Sequence, residues 1–122
     1  MKILALLTLL VSPLAAEVYE LRTYIPNEGK MEALLSRFRD HTTTIFEKHG
    51  MGNVGYWVTT EDDPKLVYLI THQDEKTAKA NWKAFVEDPE WKKAKEASEV
   101  KGALVKKVIS QYLTPTDFSK LK

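Results

Sequence analysis

The fold is decided by the stretch NVGYWVTTEDDPKLVYLITH, which runs from Asn53 to His72 in the middle of the chain. Its two ends, residues 53–60 and 65–72, are rich in β-branched and aromatic residues, which is typical of β-strands. The four residues between them, EDDP, favour a turn because they combine acidic residues with a proline. The stretch therefore predicts a β-hairpin at the centre of the domain.

An amphipathic helix is predicted before this hairpin, from about Lys30 to His49. Gly50 follows it and favours the left-handed conformation that commonly ends a helix. His49 is then the last helical position, where a cation interacts favourably with the negative end of the helix dipole. We therefore interpret His49 as a helix-ending residue. The apolar residues of the helix recur at helical spacing: Met31, Leu34, Leu35, Phe38, Ile45 and Phe46.

A second helix is predicted after the hairpin, with Asp74 as its N-cap. Asp88 and Pro89 restart or kink this helix, since aspartate is a good cap and proline is tolerated in a first turn. Two further strands, Glu17 to Ile25 and Gly102 to Leu113, flank these elements. The order is strand, helix, strand, strand, helix, strand, which predicts an α+β, ferredoxin-like βαββαβ fold, a four-stranded antiparallel sheet with two helices on one face.

The face of the sheet that the two helices leave free is also expected to be buried. The strands do not alternate cleanly between apolar and polar residues, because Leu21 and Ile25 lie opposite Val18 and Tyr24 on the first strand. Both faces are therefore expected to be at least partly buried, which in a short chain indicates a second subunit. We predict a homodimer in which two sheets pack face to face as a joint barrel.

The first sixteen residues, MKILALLTLLVSPLAA, have the layout of a secretory signal peptide. Lys2 provides a positive charge, an apolar run follows from Ile3 to Val11, and small residues end the segment. The apolar run is roughly half of the about 18 residues that a membrane span requires. We predict a signal peptide at residues 1–16, a mature domain at residues 17–122 without a stable membrane span, and a secreted or periplasmic location.

Composition excludes several classes of protein. The 122 residues include 18 Lys and Arg against 17 Asp and Glu, and loss of Lys2 with the signal peptide leaves no net charge. Nucleic acid is therefore not an expected partner, because there is no basic excess to neutralise phosphates. The chain has no cysteine, so the exported domain is held together by packing rather than by disulfides.

Several short motifs in order along the mature chain resemble the NIPSNAP family: YELRTY at 19–24, RFRDH at 37–41, FEKHGM at 46–51, GYW at 55–57, LVYLI at 66–70, NWKAFVEDPEW at 81–91 and LTPTDFS at 113–119. The resemblance implies the dimeric α+β barrel superfamily, in agreement with the fold predicted from pattern. It implies no particular reaction. Animal members are mitochondrial and linked to vesicle traffic and mitophagy, whereas related barrels include monooxygenases, isomerases and peroxidases with pockets between helices and sheet.

His41 is the leading candidate for chemistry. It follows Phe38 by three residues and precedes Ile45 by four, which places it on the apolar stripe expected to face the sheet. A buried imidazole needs partners for its ring nitrogens. His41 is therefore either a satisfied core residue or a pocket residue, and in the second case it is a candidate general base.

The predicted ligand pocket also contains aromatic residues. A tryptophan on the second helix opposite tyrosines of the sheet can line a flat apolar pocket, although core packing explains the same residues. Glu20 and Arg22 lie two residues apart and share one face of a strand, where they form an ion pair at the dimer barrel or face a polar ligand. The candidate pocket residues are His41, Tyr56, Trp57, Trp82 and Arg22.

No metal or cofactor is predicted. His41 and His49 are separated by about 12 Å along a helix, too far to bind one metal without a third ligand such as His72. Asn81 and Trp82 are adjacent and do not match the spacing of haem-degrading relatives, and no phosphate loop or nucleophile motif occurs. The predicted function is binding of a small apolar or aromatic ligand or a protein partner. The alternatives are a cofactor-independent monooxygenase or isomerase that uses His41, and a structural interaction module.

Overall fold

The computed structural model describes residues 17–122, so the predicted signal peptide lies outside the described residues. Its strands are β1 (Val18–Pro26), β2 (Gly52–Val58), β3 (Leu66–His72) and β4 (Val105–Leu113). Its helices are α1 (Met31–Arg37), α2 (Thr43–Lys48), α3 (Glu75–Glu87) and α4 (Pro89–Ser98), and a π-helical segment (Phe38–Thr42) joins α1 to α2.

The four strands form one antiparallel sheet in the order β2-β3-β1-β4. This arrangement confirms the predicted ferredoxin-like fold. The two central strands place Arg22 of β1 opposite Tyr68 of β3, and on its other side Arg22 lies opposite Ser110 of β4. The register thus brings polar residues of three strands to one part of the sheet.

The predicted helix ends are confirmed. Asp74 accepts a hydrogen bond from the amide of Thr77, and Asp88 accepts one from the amide of Glu90 at the start of α4. At the end of α2, His49 is the C-cap residue and Gly50 has a φ of +76°. Such capping residues are reliable signals in a sequence because the backbone N–H and C=O groups at a helix end have no partners within the helix.

The first helix is interrupted in a way that its apolar spacing does not predict. The amide of Thr43 bonds to the carbonyl oxygen of Phe38, five residues earlier, which defines the π-helical segment. This wider turn changes the phase of the helix, so Phe38 and Thr42 are buried whereas His41 is exposed. The prediction that His41 faces the sheet is therefore wrong.

The core lies between the sheet and the helices and is mostly aromatic. Phe46 is fully buried, with its ring centroid 5.0 Å from Phe85 and 5.9 Å from Tyr68. Phe38 lies 5.1 Å from Tyr68 and 5.7 Å from Tyr56. Such edge-to-face and tilted ring pairs are favourable packing arrangements. The space between helices and sheet at this position is therefore occupied by side chains.

Strand β4 differs from the central strands because most of its residues are exposed. Val108 and Ile109 are adjacent and point to opposite faces, yet they are 42% and 40% exposed. In β3, by contrast, residues facing the helices are buried and the alternate residues are half-buried. The helices thus cover the centre of the sheet and leave both faces of β4 open.

Candidate functional site

The candidate site is built around Glu20, a carboxylate that is only 1% exposed. Its Oε1 accepts hydrogen bonds from Nε2 of His72 at 2.8 Å and Nε1 of Trp82 at 2.7 Å. Its Oε2 accepts from Nη1 of Arg22 at 2.7 Å and Oγ of Ser110 at 2.6 Å. We call these five residues the Glu20 cluster. Four donors satisfy both oxygens of the buried carboxylate.

The strand register explains why these residues meet. Glu20 and Arg22 share a face of β1 because side chains alternate along a strand. Ser110 lies opposite Arg22 on β4, and His72 lies diagonally across from Glu20 on β3. Trp82 reaches the same point from α3, above the sheet. Elements from both halves of the chain therefore assemble one polar centre.

The cluster keeps Glu20 ionised. Burial by itself raises the pKa of this carboxyl, but the hydrogen bonds from His72, Ser110, Trp82 and Arg22 outweigh burial and lower the pKa to about 2. Burial lowers the pKa of Arg22, but Tyr24, Tyr68 and Glu20 outweigh burial, so the pKa is raised. The cluster thus contains a buried carboxylate and a half-buried guanidinium at neutral pH.

Aromatic rings surround the cation of this pair. The guanidinium carbon of Arg22 lies 4.0 Å from the ring centroid of Trp82, a cation–π contact. Nη2 of Arg22 donates to the hydroxyl of Tyr24, which also accepts from the hydroxyl of Tyr68. Tyr56 stacks on Tyr68 with centroids 5.1 Å apart. A chain of contacts therefore joins Tyr56 to the Glu20 cluster.

His72 has one ring nitrogen without a partner. Its Nε2 is bonded to Glu20, whereas its buried Nδ1 has no hydrogen-bond partner among the described residues. If Nε2 carries the proton, Nδ1 presents a lone pair, and the carboxylate fixes this tautomer and the orientation of the ring. The ring centroid of Tyr112 lies 6.2 Å away. This arrangement can accept a proton at Nδ1 and stabilise the resulting imidazolium through Glu20.

A family model described as NIPSNAP matches residues 19–120, which is most of the chain. The chain belongs to the NIPSNAP family. The resemblance inferred from its motifs is thereby confirmed. The comparison with proteins of curated function found no match.

Solved structures of other NIPSNAP proteins share the fold. A NIPSNAP family protein of unknown function from Agrobacterium tumefaciens has a TM-score of 0.76 at 21% identity, over 88% of this chain and 96% of that one. A second protein from that organism has a TM-score of 0.75 at 23% identity, covering 87% and 91%. An uncharacterized NIPSNAP-like protein from Burkholderia xenovorans has a TM-score of 0.73 at 18% identity, covering 86% and 90%.

The five pocket residues predicted from the NIPSNAP sequence do not meet in one place. Arg22 and Trp82 are in contact within the Glu20 cluster, and Tyr56 lies on the same side of the sheet. Trp57 lies on the opposite side, 56% exposed and packed over Gly55. His41 lies outside the core in a groove between α1 and α4. The arrangement brings Arg22 and Trp82 together, places Tyr56 on the same side of the sheet, and leaves Trp57 and His41 apart.

The predicted ion pair of Glu20 and Arg22 is present in this NIPSNAP chain, with 2.7 Å between Nη1 and Oε2. The sequence did not predict that His72 and Ser110 bind Glu20. His72 continues the pattern of Tyr68 and Ile70, every second residue of β3, and this spacing is the signal that could have placed it on the buried face. Ser110 has no such signal, because its partner depends on the register of two distant strands.

His49 takes the structural role expected of it, and it also binds Asp88. The distance from His49 Nε2 to Asp88 Oδ2 is 2.6 Å, and Lys48 Nζ lies 2.9 Å from the same oxygen. Hydrogen bonds from Lys48 and then His49 hold the pKa of Asp88 well below its usual range.

Across residues 17–122, there is no group of three or more His, Asp and Glu that could hold a metal. The same residues contain no helix with the length and apolar character of a membrane span.

Proposed function

We propose that this NIPSNAP protein is an exported homodimer that binds a small aromatic molecule beside the Glu20 cluster. One observation supports the proposal most directly: Ser110 is an exposed residue, yet its hydroxyl donates to a carboxylate that is 1% exposed. The cluster therefore lies directly beneath the open surface of β4. Ionisable groups whose pKa is strongly shifted by burial and specific partners, as for Glu20, are enriched at functional sites.

The exposed surface next to the cluster suits an aromatic ligand. Val108 and Tyr112 share the face of Ser110, because they lie two residues away on either side. They are 42% and 37% exposed, so both present apolar surface beside the ion pair of Glu20 and Arg22. We call Val108, Ser110 and Tyr112 the β4 shelf. A flat molecule stacked on Tyr112 gains apolar contact and lies close to polar groups that fix its orientation.

A second subunit is proposed on the opposite face of the sheet. Trp57, Ile109 and Leu113 are large apolar residues with exposures of 56%, 40% and 40%. Apolar residues exposed together mark interaction surfaces. In addition, β4 is a nine-residue edge strand, and a long unprotected edge is readily paired or covered by another chain. Two copies packed through this face bury the apolar side chains, and the second copy lies close enough to cover the β4 edge.

The dimer is tested by sedimentation of the purified protein at micromolar concentration. We expect a dimer for the natural chain and a monomer for Ile109→Lys, because a buried lysine at the interface carries an unpaired charge. Lys120→Ala, at an exposed position in the tail, is the matched control and should leave the dimer unchanged. A natural chain that sediments as a monomer contradicts the proposed assembly.

Ligand binding is tested by thermal denaturation against a panel of small aromatic compounds. A compound present at 100 times its dissociation constant should stabilise the fold by about 2.7 kcal/mol. Tyr112→Ala removes the stacking surface of the β4 shelf and should abolish the shift. Tyr19→Phe is the control, since it keeps a buried aromatic ring on the opposite face. A compound that stabilises both variants equally binds elsewhere.

Export is proposed on the basis of residues 1–16 and is tested separately. Expression of the full sequence in a bacterium with a secretory pathway should place the protein outside the cytoplasm, with an N-terminus at or near Glu17 by mass spectrometry. Protein recovered from the cytoplasm with residues 1–16 intact contradicts export. This result has no bearing on the ligand site or on the dimer.

A second candidate function is cofactor-independent catalysis, as a monooxygenase or isomerase, and the partnerless Nδ1 of His72 is the observation that favours it. His41 was the first candidate base, but His72 has the carboxylate partner that stabilises a protonated ring. A base at this position removes a proton from an activated carbon atom of a substrate. Proton exchange into aromatic ketones in D₂O, followed by NMR, tests this step. Catalysed exchange that His72→Gln abolishes supports it, and exchange at the uncatalysed rate contradicts it.

A further inference from the structure

A separate groove lies on the outer side of the helices, between α1 with its π-helical segment and α4. Its volume is about 280 Å³, which is the size of a pocket for a small metabolite. Ala94 and Ala97 form one wall, and Ser36, Arg37 and His41 lie on the other. Small alanine side chains leave this space open where longer residues would fill it. The groove is distinct from the Glu20 cluster.

Arg37 is a buried cation at this groove, only 5% exposed. Its Nη1 donates to Ser98 Oγ at 3.1 Å and lies 3.5 Å from Oε2 of Glu99, an oxygen that also accepts from the amide of Leu104. Its guanidinium stacks on Trp91 at 4.9 Å. Its buried Nε has no hydrogen-bond partner among the described residues. The charge of Arg37 is therefore only partly compensated, which is unfavourable for a buried ion.

The π-helical segment brings His41 to the same groove. Its extra residue turns His41 away from the core, although the spacing from Phe38 predicts a buried position. Such segments interrupt helices at functional sites more often than elsewhere. The imidazole of His41 therefore lies at the same groove as the guanidinium of Arg37, whose charge is only partly compensated. The methyl groups of Ala94 and Ala97 line the opposite wall. This is a suitable arrangement for a ligand with one anionic end and one apolar end.

We infer that this groove binds a small monocarboxylate, with the carboxylate at Arg37 and His41 and a short aliphatic chain against Ala94 and Ala97. The planar guanidinium matches the geometry of a carboxylate, and its Nε–H has no hydrogen-bond partner among residues 17–122. A single negative charge is favoured over two, because the carboxylate of Asp40 also lines the groove and repels a dianion. The small volume limits the ligand to a short chain.

NMR titration of the isotope-labelled protein with butyrate tests the inference. We expect saturable shifts of the Arg37 Nε–H signal and of the Ala94 and Ala97 methyl signals. n-Butanol, which has the same chain without the charge, should not produce them. Inorganic phosphate should bind at least about tenfold more weakly than butyrate, a difference of 1.4 kcal/mol. Equal binding of phosphate overturns the assignment to monocarboxylates, and the absence of saturable butyrate shifts overturns the site.

A matched pair of variants locates the site. Ala97→Leu fills the groove at an exposed position of α4, and Ala80→Leu makes the same change at an exposed position of α3 that does not line the groove. We expect Ala97→Leu to weaken butyrate binding by at least about tenfold and Ala80→Leu to leave it unchanged. Both variants should give spectra of a folded protein. Butyrate shifts that persist unchanged in Ala97→Leu overturn the inference.

Discussion

The hydroxyl of Ser110, an exposed residue of β4, donates a 2.6 Å hydrogen bond to the carboxylate of Glu20, which is almost completely buried. This contact spans 90 positions of sequence and joins the last strand to the first. A surface residue therefore helps to hold a buried charge. The stability of the fold should respond to changes at Ser110 as it would to changes in the core.

Ser110→Ala should destabilise the protein by about 1.5 to 3 kcal/mol, because it removes a hydrogen bond to a charged group. Urea denaturation at neutral pH measures the change in the free energy of unfolding. Ser119→Ala is a matched control in the C-terminal tail, and it should fall within about 0.5 kcal/mol of the natural chain. Equal effects of the two variants would show that the contact with Glu20 contributes nothing.

Glu20→Gln should have a larger effect, of about 3 to 5 kcal/mol, because it leaves the half-buried guanidinium of Arg22 without its counter-charge. The substitution also directs an amide nitrogen at groups that are themselves donors. Glu96→Gln, an exposed position on α4, is the control for the same chemical change. If Glu20→Gln unfolds no more easily than Glu96→Gln, the ion pair of Glu20 and Arg22 is not needed for the fold.

The stability of the protein should fall in acid through Glu20. Its pKa is about 2 in the folded state against an ordinary 4.5, so the unfolded state binds a proton first as the pH is lowered. The stabilisation, about 3 kcal/mol by linkage, is fully present above pH 4.5 and is lost as the pH approaches 2. Urea denaturation of the natural chain and Glu20→Gln between pH 6 and 2 measures this change. The difference between them should shrink over that range, and a constant difference would contradict the assignment.

Asp88 combines two functions that substitution can separate. It caps α4 through the amide of Glu90, and its other oxygen binds Lys48 and His49. Asp88→Asn keeps a good cap but loses the charge, whereas Asp88→Ala loses both. We expect Asp88→Ala to be less stable than Asp88→Asn by about 1 kcal/mol in thermal or urea denaturation. Identical stabilities would indicate that the cap bond contributes nothing.

The fold could be predicted from sequence because its signals are local. The hairpin at residues 53–72 and the caps Asp74 and Asp88 each depend on a few neighbouring residues. Gly50 ends the first helix for the same kind of reason, since glycine adopts a positive φ without strain. Once these elements are placed, their order restricts the topology to very few arrangements.

The site was harder to predict because it depends on register and helix phase. Apolar spacing placed His41 inside the core, but the spacing assumes 3.6 residues per turn and the π-helical segment violates that assumption. His72 and Ser110 reach Glu20 only through pairing between distant strands. Arg22 and Trp82, both predicted to line the pocket, are in contact, whereas Trp57, predicted for the same pocket, lies on the other face of the sheet.

The π-helical segment also affects how relatives of this chain should be aligned. One extra residue turns the rest of a helix by about 100°, so α1 and α2 follow two different apolar registers. A relative with an uninterrupted helix at this position would have the same buried side chains at both ends of the helix. The segment between those ends would be one residue shorter than in this chain. An alignment without a gap near residues 38–42 would then pair buried positions with exposed ones over half of the helix. His41 would be paired with a core residue although it lies on the surface.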